Sequence, residues 1–517
     1  MMASSLQRVE FGSLPNEMLL QVLQYLTPKD LCHVALCSKS LRETANHDAL
    51  WRPLCHAEGW RHFGRAEDLD ESTAFIPVDK QNVGKDVNFS FDTVVSGTDW
   101  PGLMDTCKWK TVYMKAHHLE RNWRDNSHHV VSFEFGSEGC AGRFSPTIWD
   151  SPTHSQIYNL HGEGTYLAAG VSNGTVMVWD MYSGKLKYTI HVDICDKSEC
   201  LKIKNGTIAV GCKDGMIRTY STQTGQQLQV MSCHQLAVSQ LFIDDDTIVS
   251  VARPDPRLFY ASKDTFEDSD IKVWSSLNGD LRFLFRREDD SKDKTQDVDY
   301  VDKTVAAVYV DRTIRLWNAQ SGVCMHVIGP SHRMGEFVEA LTYCHLNNGT
   351  LIVGDRDNRV EMYDVKSGAC CKTFNIPLGC NEKNDNKTWS CVFTGKFLVA
   401  ASDWGTNLRV CNPEGKYIGE TKTAGDYERM MHSSCVRGNK LIVCDEDTGA
   451  GSLWMIDREN GFHVVKKLRG SMFSRCVPGE LFEFWLGDTK LAVAHYFDET
   501  LEESLVQVPY IAVHHYW

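Results

Sequence analysis

The feature that most constrains the fold is a repeat of about 45 residues that runs through most of the chain. Each unit has two short apolar, β-branched runs separated by a turn rich in Asp, Asn and Gly. In five units the second run ends on a large aromatic residue, in order Trp179, Tyr220, Trp274, Trp317 and Tyr363. Two looser units follow, with Cys411 and Ile456 in the place of the aromatic residue. The spacings between these seven positions, 41, 54, 43, 46, 48 and 45 residues, predict the four-stranded blades of an all-β propeller.

The number of blades follows from the rest of the pattern. Seven units carry the hairpin pattern, and an eighth apolar stretch runs from Lys490 to Val513. We therefore predict seven or eight WD-type blades over residues 128–517, with eight favoured. A ring must close to protect its strand edges, and we expect the strand His129–Phe135 to pair beside the last unit. The polar insertion at 254–270 is expected to be a surface loop.

The N-terminal residues follow a helical pattern instead. An apolar stripe predicts the first helix, with Leu19, Val22, Leu23 and Leu26. Thr27, Pro28 and Asp30 predict the start of a second helix, which carries Leu31, Val34 and Leu41. A third helix is predicted to begin with Asp48 as its N-cap and to end at Gly59. Three helices this short bury little surface, so we expect them to depend on a partner.

This N-terminal segment resembles an F-box. The matching residues are Leu14, Pro15, Glu17, Asp30, Leu31, Ser38, Lys39 and Trp51. The chain departs from the family pattern at Leu41, where an aromatic residue is usual. Asn122, Trp123 and Arg124 resemble the segment that closes the linker helix of F-box/WD-repeat proteins, and the repeats resemble degenerate WD repeats. We predict a small all-α F-box at 11–60, a linker at 61–127 with a helix at 108–124, and the propeller at 128–517. The alternative for the first segment is an ordinary helical hairpin.

The resemblance implies a non-catalytic receptor. In that family the F-box docks on a Skp adaptor, which connects to cullin and RING subunits of an SCF-type E3 ubiquitin ligase, and the propeller binds the degron of a protein substrate destined for the proteasome. The adaptor-binding residues implied here are Leu14, Pro15, Glu17, Leu19, Leu20, Leu23, Leu26, Leu31 and Trp51. The alternative is a WD-repeat scaffold or adaptor protein that acts outside a ubiquitin ligase.

Two sets of polar residues are candidates for roles in the propeller. Acids or amides lie six residues before the large side chain, at Asn173, Asp214, Asp268, Asp311 and Asp357, and by resemblance these are structural acceptors for histidines such as His234 and His332. Relatives that bind phosphorylated degrons use basic residues just ahead of these acids. The matching residues here are Lys213, Arg312 and Arg356. They predict a clamp for phosphate or carboxylate oxygens, or alternatively local ion pairs with Asp214, Asp311 and Asp357.

Composition and charge narrow the possible functions and cellular locations of the protein. The net charge of −14 argues against a general nucleic-acid or anionic-membrane binder. With no apolar run of transmembrane length and no signal-peptide pattern, we expect a soluble protein of the cytoplasm or nucleus, monomeric within its complex. The 19 cysteines include Cys212, Cys324 and Cys444 at apolar positions, which predicts buried, reduced thiols. No catalytic motif is present, and unmatched pairs such as Cys32 with Cys37 and Cys195 with Cys200 predict neither a metal site nor a cofactor.

Overall fold

The computed structural model describes two compact units, one built from the helices together with Tyr516 and one from the strands. The described residues are 11, 14–58, 107–133, 157–171, 174–192, 198–232, 234–252, 271–285, 295–309, 311–329, 341–347, 349–355, 358–376, 388–394, 397–402, 408–420, 434–437, 439–445, 450–457, 461–468, 484–501 and 504–516. The predicted insertion at 254–270 and the linker segment 64–106 lie outside them.

The helical unit contains one helix more than the F-box pattern predicted. Its described helices are α1 (Asn16–Leu23), α2 (Pro28–Cys37), α3 (Lys39–Ala45), α4 (Asp48–Ala57) and α5 (Lys108–Asp125). The predicted second helix is broken at Ser38, whose backbone is extended (φ −158°, ψ 164°) and whose Oγ accepts a hydrogen bond from the Leu41 amide at 3.2 Å. A serine hydroxyl in that geometry caps a new helix, so α2 ends and α3 begins there.

The core of this unit forms where α4 meets its neighbours. Leu23, Leu31, Leu50 and Trp51 are buried together, and Tyr113 of α5 packs against them. The N-cap of α4 is His47, whose Nδ1 accepts from the Ala49 amide, and not Asp48 as predicted. The Asp48 carboxylate instead accepts from the Trp109 amide at 2.9 Å, which ties the start of α5 to α4.

The strand unit contains eight described four-stranded antiparallel sheets, which we number first to seventh in chain order, with a closing sheet. The first four are β2 (Ile157–Glu163), β3 (Tyr166–Val171), β4 (Thr175–Asp180) and β5 (Leu186–His191); β6 (Ser198–Lys204), β7 (Thr207–Cys212), β8 (Met216–Ser221) and β9 (Gln227–Ser232); β10 (Val238–Ile243), β11 (Thr247–Ala252), β12 (Ile271–Ser275) and β13 (Leu281–Phe285); β14 (Thr295–Val301), β15 (Thr304–Tyr309), β16 (Ile314–Asn318) and β17 (Cys324–Ile328). The fifth to seventh are β18 (Leu341–Asn347), β19 (Thr350–Asp355), β20 (Arg359–Asp364) and β21 (Cys370–Asn375); β22 (Thr388–Phe393), β23 (Leu398–Ser402), β24 (Leu408–Cys411) and β25 (Tyr417–Glu420); β26 (Ser434–Arg437), β27 (Lys440–Asp445), β28 (Ala450–Asp457) and β29 (Gly461–Leu468).

The closing sheet joins the two ends of the strand unit. It pairs β1 (His129–Phe133) with β32 (Ser504–His515), which continues to β31 (Lys490–Leu501) and β30 (Phe484–Leu486). Val131 lies opposite Val513 in this register. The predicted closure through the strand after residue 128 is therefore confirmed over its described part, and the predicted last unit forms β31 and β32.

Neighbouring sheets are held together by the large side chain of each repeat. Trp179 is fully buried against Phe133 and Trp485 of the closing sheet. Trp317 of the fourth sheet stacks on Phe285 of the third, with ring centroids 5.1 Å apart. Each of these two side chains fills the space toward the preceding sheet, which explains a bulky residue at this position in most repeats.

The turn that follows the large side chain gives a test of this packing. At Gly322 φ is +74°, and a Cβ would lie 2.4 Å from the ring of Phe283 in the third sheet. We expect Gly322→Ala to lower the free energy of unfolding by about 2 kcal/mol or more, because left-handed strain of about 1–2 kcal/mol adds to a steric clash. Gly349→Ala is the matched control, since φ is +76° there and nothing lies within 4 Å of the added Cβ. Urea unfolding should separate the two variants, and equal losses would contradict the packing.

The closing sheet also carries a buried histidine whose titration can be measured. His515 Nε2 lies 3.1 Å from the carbonyl oxygen of Met181, to which its N–H can donate. Burial, followed by the charge of Lys490, lowers the pKa of His515 from 6.5 to about 3. The unfolded chain then binds a proton that the folded chain does not, so stability rises with pH across this window and is lost as pH falls below 6.5. Because of His515, we expect the free energy of unfolding of the natural chain to fall by about 1.4 kcal/mol for each pH unit between pH 6.5 and 5. His515→Gln should abolish this dependence, and urea unfolding across the same pH range measures it.

Candidate functional site

The helical unit exposes a row of apolar side chains on α1 and the turn after it. Met18, Val22 and Tyr25 are 51%, 46% and 83% exposed, at positions i, i+4 and i+7. Leu36 of α2 is 71% exposed. We call these four residues the F-box apolar surface. The sequence grouped Val22 with Leu19 and Leu23 in one apolar stripe, but Leu19 and Leu23 alone are buried on the inward face of the helix and Val22 is exposed. Several exposed large apolar side chains in one small helical unit are typical of a protein-binding surface.

The predicted adaptor-binding residues divide into two groups. Leu19, Leu23, Leu31 and Trp51 are at most 1% exposed. A side chain this deeply buried supports the fold and cannot contact a second protein, so the predicted direct contact is corrected for these four. The remaining residues reach the surface wholly or in part, with Pro15 and Glu17 exposed and Leu14, Leu20 and Leu26 half-buried.

Helix α5 braces the F-box core from the side. The Trp51 ring meets Tyr113 edge-on at 5.2 Å, and the ammonium of Lys110 lies 5.3 Å from the same ring. The indole N–H of Trp51 donates to the Ala45 carbonyl at 2.7 Å. Predicted linker residues are therefore part of the helical unit itself. At the other end of α5, Trp123 stacks on Tyr516 at 3.6 Å.

The described polar residues of the repeats form scaffold networks. Asp214 is held by Arg218, whose Nη2 lies 2.7 Å from the carboxylate. Burial raises the pKa of Asp214, but the hydrogen bonds from Arg218 and the Met216 amide have the larger combined effect, so the pKa of Asp214 is lowered. These contacts place Asp214 in a structural role, although its described partner is an arginine and not the histidine that the resemblance implied.

His234 also takes a structural position. Its Nε2 lies 3.0 Å from the Ser250 hydroxyl, which accepts a hydrogen bond from the Trp274 indole at 3.0 Å. The acid predicted for this repeat, Asp268, lies outside the described residues, as do Asn173, Asp357 and His332. The network links the connection before the third sheet to its large side chain.

The predicted basic clamp does not form as expected. Lys213 is exposed. Arg312 donates from Nη2 to the Asp355 carboxylate of the fifth sheet at 3.1 Å, and the Asp355 side chain is only 3% exposed. The alternative pairing of Arg312 with Asp311 is therefore wrong, since its guanidinium is bound by an acid of the next sheet. Arg356 lies outside the described residues.

Other sequence predictions concern cysteines and metals. Cys212 is buried as predicted, but Cys324 is exposed on the outermost strand of its sheet, so its predicted burial is wrong. The side chain of Cys444 lies outside the described residues.

Across the described ranges, no three His, Cys, Asp or Glu side chains are grouped so that they could hold a metal ion. None of the helices described has the length and apolar character needed to span a membrane.

Fold and surface together define a class, namely a WD-type β-propeller joined to an F-box-like helical unit. Family models agree, since an F-box-like model matches residues 11–57 and a WD domain, G-beta repeat model matches residues 147–180. The chain thus has the combination of domains found in F-box/WD-repeat proteins.

The curated relatives include an F-box/WD-repeat protein and an SCF subunit, which the chain matches at modest identity. The chain is 26% identical over 184 residues to F-box/WD repeat-containing protein 7 of Drosophila melanogaster, covering 36% of this chain and 11% of the fly protein. It is 24% identical over 182 residues to a probable E3 ubiquitin ligase complex SCF subunit sconB of Arthroderma otae, covering 34% of this chain and 24% of the relative. The matches thus span less than a quarter of each relative's length.

A solved structure supports the fold alone. The C-terminal WD40 domain of Sif2 superposes with a TM-score of 0.51 at 12% identity, covering 70% of this chain and 96% of that domain. This likeness agrees with the propeller architecture of the strand unit.

Proposed function

We propose that this chain is the substrate-recognition subunit of an SCF-type E3 ubiquitin ligase in the cytoplasm or nucleus. In this role the helical unit docks on a Skp adaptor, and through it on cullin and RING subunits, while the propeller holds a protein substrate. The chain itself performs no chemistry. It raises the effective concentration of a substrate lysine near the charged conjugating enzyme.

The observation that carries the proposal is the F-box apolar surface. Met18 and Val22 are exposed on α1 and Tyr25 is exposed in the turn after it, while Leu19 and Leu23 of α1 are buried in the core. An isolated helical unit gains nothing in solution by exposing a tyrosine at 83%, whereas a partner protein that covers the surface would remove it from water.

In this proposal the propeller binds the protein substrate. Loops of many sheets in one unit offer a surface on which a degron of a partner protein can be held. Among the predicted clamp residues, Lys213 is the exposed cation that the structure describes, and Arg312 serves the ion pair with Asp355. We propose that the chain acts as a single copy within the ligase.

Adaptor capture tests the proposal directly. We expect the full chain to retain a purified Skp-type adaptor, and we expect Val22→Asp with Tyr25→Asp to lower its affinity at least 100-fold, because two charges would be buried at the interface. Calorimetry or surface plasmon resonance gives the dissociation constants. The matched control is Leu228→Asp, which changes a side chain that is 51% exposed on β9 of the second sheet.

The same experiment separates the ligase from the scaffold alternative. A scaffold outside the ligase would not retain the adaptor at all, and binding that survives both charged substitutions would place the interface elsewhere. The control should bind like the natural chain, since its charge enters a different unit.

A further inference from the structure

The exposed apolar side chains of the strand unit are concentrated on three neighbouring sheets. They lie on the fourth strands of the second, third and fourth sheets, or in the turns that lead into those strands, and are 37–76% exposed. We call six of these residues the rim apolar surface, namely Leu228, Val230, Leu277, Leu284, Val323 and Val327. Outside these three sheets, Val130 and Tyr417 alone are large, apolar and exposed in the described part of the strand unit. Single exposed apolar residues are common on protein surfaces, whereas such a concentration is typical of a binding surface.

The three sheets contact one another at their fourth strands. Gln229 of β9 donates a hydrogen bond from Nε2 to the Leu277 carbonyl of the third sheet at 2.6 Å. Phe283 of β13 packs against the turn that precedes Val323 in the fourth sheet, where a Cβ on Gly322 would lie 2.4 Å from its ring. The exposed residues of one sheet therefore continue into those of the next sheet.

The fold does not require apolar residues at these exposed positions. Val230, Leu284 and Val327 occupy equivalent places, each opposite the residue two places before the large side chain of its sheet. In the first and fifth sheets the same place is taken by Thr189 and Thr373, and both are exposed. Threonine suits a strand as well as valine does, so packing within the sheets does not account for the apolar residues.

The same strands carry basic residues. Those directly opposite the three equivalent apolar residues are Arg218, Lys272 and Arg315. The third and fourth strands of these sheets contain one more basic residue, Arg282, and no Asp or Glu. The turns between these strands add one acid, Asp280. The rim thus differs in sign from the chain as a whole, whose net charge is −14.

Ion pairs within the sheets reduce this positive charge without cancelling it. Arg218 is paired with Asp214 at 2.7 Å, and Arg282 is paired with Asp246 at 3.3 Å. With Asp280 there are three acids against four basic residues, so the sum stays positive. A small excess of charge at an interface selects the sign of the partner, while the burial of apolar area supplies most of the affinity.

We propose that the rim apolar surface binds a segment of a partner protein that carries apolar and acidic side chains. The apolar side chains of this segment cover those of the rim and remove both from water, and its carboxylates lie beside the basic residues of the third strands. Because the surface belongs to the strand unit, the inference does not depend on adaptor docking by the helical unit.

Fluorescence anisotropy of the full chain with a labelled amphipathic peptide of leucine and glutamate tests the surface. We expect saturable binding that weakens at higher salt, because part of the attraction is between charges. Two control peptides of the same pattern, one with serine in place of leucine and one with lysine in place of glutamate, should bind at least about tenfold more weakly. Lack of saturable binding, or equal binding of the lysine peptide, would overturn the proposal.

Variants of the chain locate the binding. Leu284→Asp with Val327→Asp should weaken binding of the leucine–glutamate peptide at least about tenfold, because both apolar contacts are lost and two negative charges are added. Thr189→Asp with Thr373→Asp is the matched control, since it adds the same charge at the same place in the first and fifth sheets. It should bind the peptide like the natural chain, and equal losses in the two variants would refute the site.

A neutral variant guards against a folding artefact. Leu284→Thr with Val327→Thr introduces the residue that the first and fifth sheets already carry at this place. Circular dichroism should show a folded chain, and affinity for the peptide should fall about threefold to tenfold. Unchanged affinity in this folded variant would contradict the proposed apolar contact.

Alkylation of cysteines shows where the peptide lies on the natural chain. Cys324 is exposed and directly follows Val323 of the rim, while Cys32 is exposed on α2, one helical turn before Leu36 of the F-box apolar surface. The peptide should slow alkylation of Cys324 by a maleimide, as measured by mass spectrometry, and leave Cys32 unaffected. Protection of Cys32 alone would assign the peptide to the F-box apolar surface and overturn the proposal.

Two other occupants give different results. Sedimentation velocity that shows a dimer of the natural chain, and a monomer of Leu284→Asp with Val327→Asp, would assign the surface to a second copy of the chain. Binding to phosphatidylserine vesicles that is lost in the same variant, without binding of the peptide, would assign it to a membrane. Either result would overturn the proposal of an acidic protein partner.

Discussion

Replacing Arg312 with methionine is expected to lower the free energy of unfolding by about 3 kcal/mol. The substitution keeps most of the side-chain volume but removes the ion pair to Asp355, whose carboxylate is 3% exposed. A buried carboxylate that loses its cation retains the cost of desolvation without the compensating attraction, which is why breaking such a pair is more damaging than its net value suggests. Urea unfolding followed by circular dichroism gives the loss.

The exposed cation of the predicted clamp provides the comparison. Lys213→Met removes the same charge from a solvated position and should change stability by no more than about 0.5 kcal/mol. Adding Asp355→Asn to Arg312→Met should recover part of the loss, since the carboxylate charge is then gone as well. A chain with Arg312→Met that is as stable as the Lys213→Met chain would refute the role of the pair.

This ion pair also decides how a clamp can be tested. A charge reversal at Arg312 would place a glutamate beside the buried Asp355, so lost substrate capture would report unfolding as readily as lost recognition. Lys213→Glu changes an exposed residue and does not have this defect. Substrate capture by the Lys213→Glu chain is therefore the sharper measure of the clamp.

The parts of the fold that were predictable depend on local sequence. The repeats were visible because each turn needs its own Asp, Asn and Gly, and each sheet needs a bulky residue such as Trp317 to fill the space toward its neighbour. The break at Ser38 was missed because Leu31, Val34 and Leu41 continue the helical spacing across it. Its signal was present, since a serine followed by a short helical run is a capping pattern.

The candidate sites were less predictable because their partners are distant in sequence. Helical spacing places Val22 and Leu23 in one apolar stripe on α1, and only tertiary packing determines that Leu23 is buried and Val22 is exposed. Arg312 was assigned to its neighbour Asp311 or to a ligand, whereas its partner Asp355 is 43 residues away in the next sheet.

Two aromatic residues of the helical unit should separate folding from docking. Trp51 is 1% exposed, donates its indole N–H to Ala45 and packs on Tyr113, so Trp51→Ala should cost about 3–5 kcal/mol of stability. Tyr25 is 83% exposed, so Tyr25→Ala should change stability by no more than about 0.5 kcal/mol.

Adaptor binding should show the opposite order once it is corrected for the folded fraction. Tyr25→Ala removes a side chain that the proposed interface covers, and a loss of about 2 kcal/mol, near thirtyfold in affinity, is the size expected for a central aromatic contact. Folded Trp51→Ala chains should bind the adaptor much more tightly than the Tyr25→Ala chain does, because Trp51 lies beneath the proposed interface and does not contact the adaptor. If Tyr25→Ala binds the adaptor normally while folded Trp51→Ala does not, the interface lies on α4 or α5 and not on α1.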